Sequence, residues 1–316
     1  MQIAEDIFEL VISKMEKECG IKYFKVADIT VQVQSDYPIG KNTFHSKFER
    51  FEVFKKNKDS ITIFHHVRPV AEKRIKPERG KEVYKKNQWQ IFKDDCTWFY
   101  HYNSIFPGDP VDNVVGIMNR DYSEIHIYPE NMSKQAYAQG RFPALTLFNT
   151  DQMIFAKLLS DRKGLVIHSN GFNINGNGVL IAGVSGSGKS TLSGMLKKLG
   201  HEILCDDRMF VRSIDGRFHI FGNWCYGSHP DVSPSHAPLS GVIFLKKGGR
   251  NRIKKITDQK AIVSKLMPVI VKPMLDVEGW GKYLSTFGWL KKSACFYEIE
   301  FDLSGKAGDI ISDYFK

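Results

Sequence analysis

A glycine-rich loop followed by lysine and serine is the feature of this sequence most suited to chemistry. Residues 183–191 read GVSGSGKST and fit the pattern G-x-x-x-x-G-K-[ST]. Glycines let backbone N–H groups approach phosphate oxygens, Lys189 reaches the β- and γ-phosphates, and Ser190 is placed to ligate Mg²⁺. The pattern predicts a nucleotide phosphate site formed by Gly183, Ser185, Gly186, Ser187, Gly188, Lys189, Ser190 and Thr191.

The segments on both sides of this glycine-rich loop are predicted to be a strand and a helix, which are the elements that hold such a loop in place. Residues 179–182 read VLIA and predict an apolar strand. After the loop, apolar residues recur at helical spacing until Gly200, which is a typical helix stop. A strand, a glycine-rich turn and a helix N-terminus together direct N–H groups and the helix dipole at one anion.

Two adjacent aspartates end the next predicted strand. Residues 202–205 read EILC, and Asp206 and Asp207 follow. A carboxylate at this place binds Mg²⁺ in phosphate-loop enzymes, and a second group accepts the proton of the acceptor. We expect Asp206 to bind the metal and Asp207 to accept the proton, with mutual repulsion raising the proton affinity of one carboxylate. The alternative is a loop pair that caps the next turn or pairs with Arg208.

The stretch 165–212 resembles the core of the HPr kinase/phosphorylase family, whose members phosphorylate a serine of a small phosphocarrier protein. The matching features, in order, are His168, the turn at Asn175 and Gly176, the glycine-rich loop, Gly200 with His201, and the aspartate pair. The resemblance implies that Lys189 and Ser190 bind phosphate and metal, that the aspartate pair holds the proton acceptor, and that His168 helps to organise the site. The sequence of the glycine-rich loop is also similar to that of phosphoenolpyruvate carboxykinase, which is a much longer enzyme.

The sequence departs from that family after the aspartate pair. The resemblance implies a metal-binding glutamate there, followed by an arginine-containing segment that binds the partner protein. Residues 221–230 instead form an aromatic, glycine-bounded stretch, similar to a tryptophan-containing loop of the family's divergent relatives. Asn223 and His229 are candidates to contact metal or acceptor. The alternative is a glycine turn around a buried Trp224.

Turn signals set the expected fold of the second half of the chain. Asn175 with Gly176, and Asp215 with Gly216, are strong signals for two-residue hairpin turns. We therefore predict an α/β fold over residues 146–316, a phosphate-loop kinase core with a mixed β-sheet and antiparallel neighbours beside the loop strand.

The first half shows a different pattern. Short segments such as 29–33 and 124–128 alternate apolar and polar residues with a period of two, which predicts strands. We expect an antiparallel β-rich domain over residues 1–145, with a short helix in its first 20 residues and a polar linker at 130–145.

Composition limits the classes of function. No run approaches the roughly 18 apolar residues of a membrane span, so we expect no membrane partner. Five scattered cysteines without a C-x-x-C pair indicate a reducing, cytoplasmic location. The net charge of +10 favours acidic partners or ATP, and without a recognisable motif we expect no nucleic-acid partner. The basic run 246–252 predicts a solvated hairpin, or a segment that brings Arg250 or Arg252 to a phosphate.

Together these features predict an ATP-dependent, Mg²⁺-dependent kinase. The resemblance implies a serine of a protein or peptide as the acceptor, and a homo-oligomeric enzyme. The alternatives are a kinase of a small hydroxyl compound such as an amino acid or sugar, a non-catalytic nucleotide sensor, and a carboxykinase-like enzyme.

Overall fold

The structure is a computed structural model that describes residues 20–68, 80–105, 109–184, 186–225, 231–274 and 277–316. The helix predicted before Gly20, and the predicted contacts of Ser185 and His229, lie outside these residues. Contacts divide the chain into two compact units, Met1–Asp151 and Gln152–Lys316, whereas the sequence placed the boundary after residue 145. No helix within the described residues has both the length and the apolar character needed to cross a membrane.

The first unit contains one large sheet. Its described strands follow one another in the order β3-β1-β2-β4-β9-β8-β7-β6-β5. They are β1 Gly20–Val26, β2 Ile29–Ser35, β3 Glu52–Val53, β4 Ser60–His65, β5 Lys81–Lys86, β6 Trp89–Asp94, β7 Thr97–Asn103, β8 Asn113–Met118 and β9 Glu124–Pro129. The strands predicted at 29–33 and 124–128 correspond to β2 and β9.

This sheet is mixed, so the prediction of an antiparallel domain was wrong in part. β4 pairs in parallel with both β2 and β9, while β1–β2 and the β5 to β9 meander are antiparallel. A period of two shows which face of a strand is buried, but it is the same in parallel and antiparallel strands. The connection between β2 and β4, residues 36–59, is long enough to bring β4 back in the same direction as β2.

Residues 130–145 are part of this unit and do not form a polar linker, which corrects the prediction. They include helix α1, Lys134–Gln139, whose N-cap Ser133 accepts a hydrogen bond from the Ala136 amide at 3.1 Å. Tyr137 on this helix is fully buried. The segment resembles a linker in composition because most of its polar residues face outward, while single aromatic residues anchor it to the core.

A buried histidine joins this segment to the sheet. His65 Nε2 lies 2.8 Å from the Leu145 carbonyl oxygen, and its Nδ1 lies 2.8 Å from the Tyr137 hydroxyl. Because a carbonyl only accepts, Nε2 donates to Leu145 and Nδ1 accepts from Tyr137. Burial lowers the pKa of His65 to about 4, and the carbonyl bond offsets part of that effect.

The second unit places helices on an eight-stranded mixed arrangement of described strands. Its strands are β10 Gly164–Ile174, β11 Asn177–Ala182, β12 Glu202–Cys205, β13 Arg208–Ile214, β14 Arg217–Phe221, β15 His236–Lys247, β16 Arg252–Ile256 and β17 Phe296–Phe301. Its helices are α2 Asp151–Ser160, α3 Lys189–Lys198, α4 Gln259–Leu266, α5 Val277–Ser293 and α6 Lys306–Tyr314.

Two long strands organise this unit. β10 pairs antiparallel with β13 along its first half and with β11 and β12 along its second half. β15 pairs antiparallel with β14 and in parallel with β11 and β17. The predicted mixed sheet is therefore confirmed, although only one of the two neighbours of β11 is antiparallel.

The helix after the glycine-rich loop ends as the sequence predicted. Gly200 adopts a left-handed conformation with φ of +83°, and its amide donates to the Lys197 carbonyl at 3.0 Å. The His201 amide donates to the Leu196 carbonyl at 3.3 Å. This pair of bonds is a Schellman motif, which satisfies carbonyls at the end of α3.

The basic run 246–252 does not form a hairpin, so that prediction was wrong. β15 ends at Lys247 and β16 begins at Arg252, but β17 lies between them and pairs with both. Residues 248–251 therefore cross the end of β17. β17 comes much later in the sequence but lies between β15 and β16 in the sheet. No local sequence pattern predicts this order of strands.

His65 makes the stability of the first unit depend on pH. The folded protein keeps His65 neutral down to about pH 4, whereas the unfolded chain protonates it near pH 6.5. Between these values the unfolded state binds more protons, so the free energy of unfolding falls as the pH falls, by up to about 3 kcal/mol. His65→Gln keeps a donor and an acceptor without titrating. We expect this substitution to remove most of the decrease in the free energy of unfolding between neutral pH and about pH 4.

Hydrogen exchange of the β4 amides, corrected for intrinsic rates and compared between about pH 7 and about pH 4, measures the effect. His236→Gln changes an exposed histidine and is the matched control. An equal loss of protection in the wild type and in His65→Gln would assign the pH dependence to other groups.

Candidate functional site

The glycine-rich loop joins β11 to the first turn of α3. Gly186 and Gly188 have φ of +74° and +104°, a region in which residues with a Cβ are strained. Gly188 is the N-cap of α3, and Lys189 is the first residue of this helix. The loop therefore ends with backbone N–H groups at a helix N-terminus, where an anion is stabilised.

The loop also contains a buried hydroxyl. The Oγ of Ser187 is buried and has no hydrogen-bond partner among the described residues. A Cβ added to Gly183 would lie 2.5 Å from this oxygen, so glycine is required there for the hydroxyl to occupy its position. An unpaired buried hydroxyl costs free energy, and a ligand oxygen inside the loop would remove that cost.

Lys189 folds back over the loop and is nearly buried. Its Nζ donates to the carbonyl oxygens of Gly183 at 2.7 Å and Val184 at 3.1 Å. Burial lowers the pKa of Lys189, while the charge of Asp207 opposes this effect. The ammonium therefore lies within electrostatic reach of the aspartate pair, and phosphate oxygens would be stronger acceptors for it than two neutral carbonyls.

The strand order brings His168 to the aspartate pair. β10 presents His168, and the Ser169 amide donates to the Asp207 carbonyl at 3.1 Å. The Nε2 of His168 lies 3.1 Å from Asp207 Oδ1, and the Nη1 of Arg208 donates to the same oxygen at 2.6 Å. One carboxylate oxygen thus interacts with both basic side chains.

These neighbours determine the ionisation of Asp207. Burial alone raises the pKa of its carboxyl group, but the His168 hydrogen bond and the charges of Arg208 and Lys189 outweigh burial, so the pKa lies below its usual value. Repulsion between the two aspartates therefore does not raise the proton affinity of Asp207. The pairing with Arg208, considered as an alternative, is present in the structure.

The hydroxyl of Ser190 and the carboxylate of Asp206 are oxygen ligands of the kind that Mg²⁺ prefers. Asp206 is buried, whereas Ser190 and Thr191 are exposed on the first turn of α3. No group of three His, Cys, Asp or Glu side chains among the described residues is arranged to hold a metal. Mg²⁺ is usually bound through one or two carboxylates, with substrate phosphates and water completing its shell, so a hydroxyl and a carboxylate fit this ion.

Asn223, a candidate ligand from the sequence, has a structural role. Its Nδ2 donates to the Arg208 carbonyl at 2.5 Å, and its Oδ1 accepts from the Cys225 amide at 2.8 Å. Trp224 is fully buried and meets Phe155 edge to face at 5.5 Å. The buried tryptophan of the alternative interpretation is therefore confirmed, and Asn223 supports the backbone that follows the aspartates.

Sequence reasoning missed Asn170. This fully buried side chain lies on β10, and its Nδ2 donates to Ser193 Oγ on α3 at 2.5 Å. Phe172 and Ile174, which have the same parity on β10, belong to the core cluster under α3. A polar residue at an inward position of a strand was the signal, because a buried amide needs a partner.

The comparisons with known proteins do not define a family. No family model matches the chain, and no curated protein matches it. Among the solved structures that match, the HPr(Ser) kinase/phosphatase from Coxiella burnetii is 16% identical. The match covers 47% of this chain and 91% of the other, with a TM-score of 0.27.

The contact between Arg208 and Asp207 can be tested by titration. Arg208→Gln removes a positive charge 2.6 Å from the carboxylate, so we expect the pKa of Asp207 to rise. Carbon-13 NMR of labelled aspartate carboxyl groups measures this change, with Asp207→Asn to assign the signal. Arg217→Gln, an exposed arginine on β14, is the control. An unchanged Asp207 signal would exclude Arg208 as a cause of its low pKa.

The structural role of Asn223 predicts a loss of stability. Asn223→Ala leaves the Arg208 carbonyl and the Cys225 amide without their partner, and we expect the free energy of unfolding to fall by about 1–3 kcal/mol. Asn173→Ala, which removes a more exposed amide from β10, should cost less. Denaturant unfolding with and without Mg²⁺ makes the comparison. Unchanged stability together with a weaker response to Mg²⁺ would place Asn223 among the metal ligands.

Proposed function

We propose that the second unit binds Mg²⁺-ATP and transfers the γ-phosphoryl group to a hydroxyl. The position of Lys189 is the observation that supports this function most. Its buried ammonium lies on the glycine-rich loop and interacts with the charges of both Asp206 and Asp207. A cation suited to bind phosphate thus lies near two carboxylates, one suited to bind the metal and the other to accept a proton.

Each residue has a distinct role in this proposal. The N–H groups of the loop and of the α3 N-terminus hold the β-phosphate, and Lys189 offsets charge on the γ-phosphate. Ser190 and Asp206 hold Mg²⁺, which when bound neutralises charge that develops on the β- and γ-oxygens. The buried hydroxyl of Ser187 provides a further donor inside the loop.

Asp207 orients the acceptor hydroxyl and takes its proton. The His168 hydrogen bond and the Arg208 charge keep this carboxylate ionised and fixed. A carboxylate with a low pKa is a weak base, but phosphoryl transfer passes through a loose transition state with little bond formation to the nucleophile. The main requirement is therefore an ionised, correctly positioned acceptor. His168 acts by positioning Asp207.

The acceptor in this proposal is a serine of a protein or peptide. This choice rests on the resemblance of residues 165–212 to the HPr kinase/phosphorylase core, and a small hydroxyl compound is the alternative. A cytoplasmic location and a homo-oligomeric state belong to the same proposal, the first from cysteine usage and the second from the resemblance.

Two substitutions separate binding from transfer. Lys189→Ala removes the cation at the phosphates, and we expect both ATP binding and transfer to fall, with transfer reduced by about 100-fold or more. Asp207→Asn should bind ATP as the wild type does, yet transfer phosphate about 100-fold more slowly. Lys197→Ala on the same helix changes an exposed lysine and is the matched control.

The measurement uses Mg²⁺ and γ-labelled ATP with a host lysate separated into macromolecular and small-molecule fractions. Label in a protein band with the wild type but not with Lys189→Ala supports a protein kinase. Label in the small-molecule fraction supports a metabolite kinase, and label in neither contradicts catalysis. Normal transfer by Asp207→Asn would remove the proton-acceptor role from that residue.

A further inference from the structure

Three loops lie at the same edge of the sheet in the second unit. β15 pairs in parallel with β11 on one side and with β17 on the other, so the carboxyl ends of these three strands point the same way. The glycine-rich loop follows β11, residues 248–251 follow β15, and residues 302–305 follow β17. In α/β sheets ligands bind at this end of the strands.

Direct contacts join the three loops. The Phe301 ring packs against Gly188, where an added Cβ would lie 3.0 Å from the ring edge. Asn251 accepts a hydrogen bond from the Asp302 amide at 3.2 Å and donates to Ser304 Oγ at 3.3 Å. The two loops that follow β15 and β17 are therefore held together beside the glycine-rich loop.

Two residues at this edge of the sheet have exposed apolar side chains. Leu303 is 82% exposed and Val184 is 57% exposed. Arg250, on the neighbouring loop, is also exposed. Single exposed apolar residues are common, but Val184 belongs to the glycine-rich loop, and Leu303 lies two residues after Phe301, whose ring packs against Gly188 of that loop. We name Val184, Phe301 and Leu303 the apolar strip.

The aspartates lie on the other flank of β11. β10, which presents His168, pairs with the opposite edge of β11, and β12, which leads to Asp206, pairs with β10. The β15 and β17 flank is the side of the glycine-rich loop away from the aspartates, and it is available to the part of a nucleotide beyond the phosphates. The base and ribose then pass over residues 302–305.

We propose that the apolar strip binds the base and ribose of a purine nucleoside triphosphate, and that Arg250 stacks on the base. This inference rests on the proposed function, because it assigns the remainder of the same ligand. A flat purine ring gains affinity from apolar contact and from a guanidinium on its face. The strip would let the site distinguish ATP from a bare chain of phosphates.

The test compares the binding of Mg²⁺-ATP with that of Mg²⁺-tripolyphosphate by titration calorimetry of the full chain. We expect the wild type to bind ATP about tenfold or more tightly than tripolyphosphate. Leu303→Gln and Arg250→Gln should each weaken ATP binding by about threefold to tenfold and leave tripolyphosphate binding unchanged. Lys189→Ala should weaken the binding of both ligands, and Arg217→Gln, which changes an exposed arginine at the start of β14, should weaken neither.

The outcomes separate the inference from the function on which it rests. Equal binding of ATP and tripolyphosphate by the wild type would overturn the inference while leaving a phosphate site. The inference would also be overturned if Leu303→Gln and Arg250→Gln both kept the wild-type ratio of ATP affinity to tripolyphosphate affinity. Binding of neither ligand by the wild type would overturn the proposed function and the inference together. Leu303 and Arg250 are exposed, so unchanged thermal unfolding is expected in both variants.

Discussion

The site depends on one carboxylate that meets several basic groups. Asp207 interacts through a single oxygen with His168 at 3.1 Å and Arg208 at 2.6 Å, and its charge also acts on Lys189. Burial opposes an ionised carboxyl, so the charge persists because these partners stabilise it. Since the partners come from β10, β13 and the start of α3, the carboxylate joins the elements that define the site.

The surrounding backbone is arranged to keep this cluster in place. The long strand β10 pairs with β13, β11 and β12, so it connects His168 to both the glycine-rich loop and the aspartates. Two buried amides add fixed links. Asn170 joins β10 to α3, and Asn223 holds the backbone of Arg208. Each of these bonds ties a buried N–H donor to one partner, and a shift of the backbone would leave that donor unpaired.

The hairpin turns and the helix end could be predicted from the sequence because each depends on the backbone preferences of a few neighbouring residues. The turn at Asn175 and Gly176 has φ of +51° and +89°, and that at Asp215 and Gly216 has +47° and +79°, as two-residue hairpins require. The stop at Gly200 and the glycines at positions 186 and 188 of the loop follow from the same left-handed preference. By contrast, strand directions and the position of β17 depend on long-range pairing, and residues 130–145 were misjudged because burial of a few aromatic residues outweighs polar composition.

The sequence by itself determined the glycine-rich loop, its flanking strand and helix, and the aspartate pair, because spacing and backbone preference act over a few residues. The tertiary structure alone decided the ionisation and the contacts of those groups. It placed Arg208 and His168 on one oxygen of Asp207, turned Asn223 into a support of the backbone, and brought the ends of β11, β15 and β17 to one edge. Ionisation and contact depend on distance in space, and residues far apart in the chain set that distance only when the sheet forms.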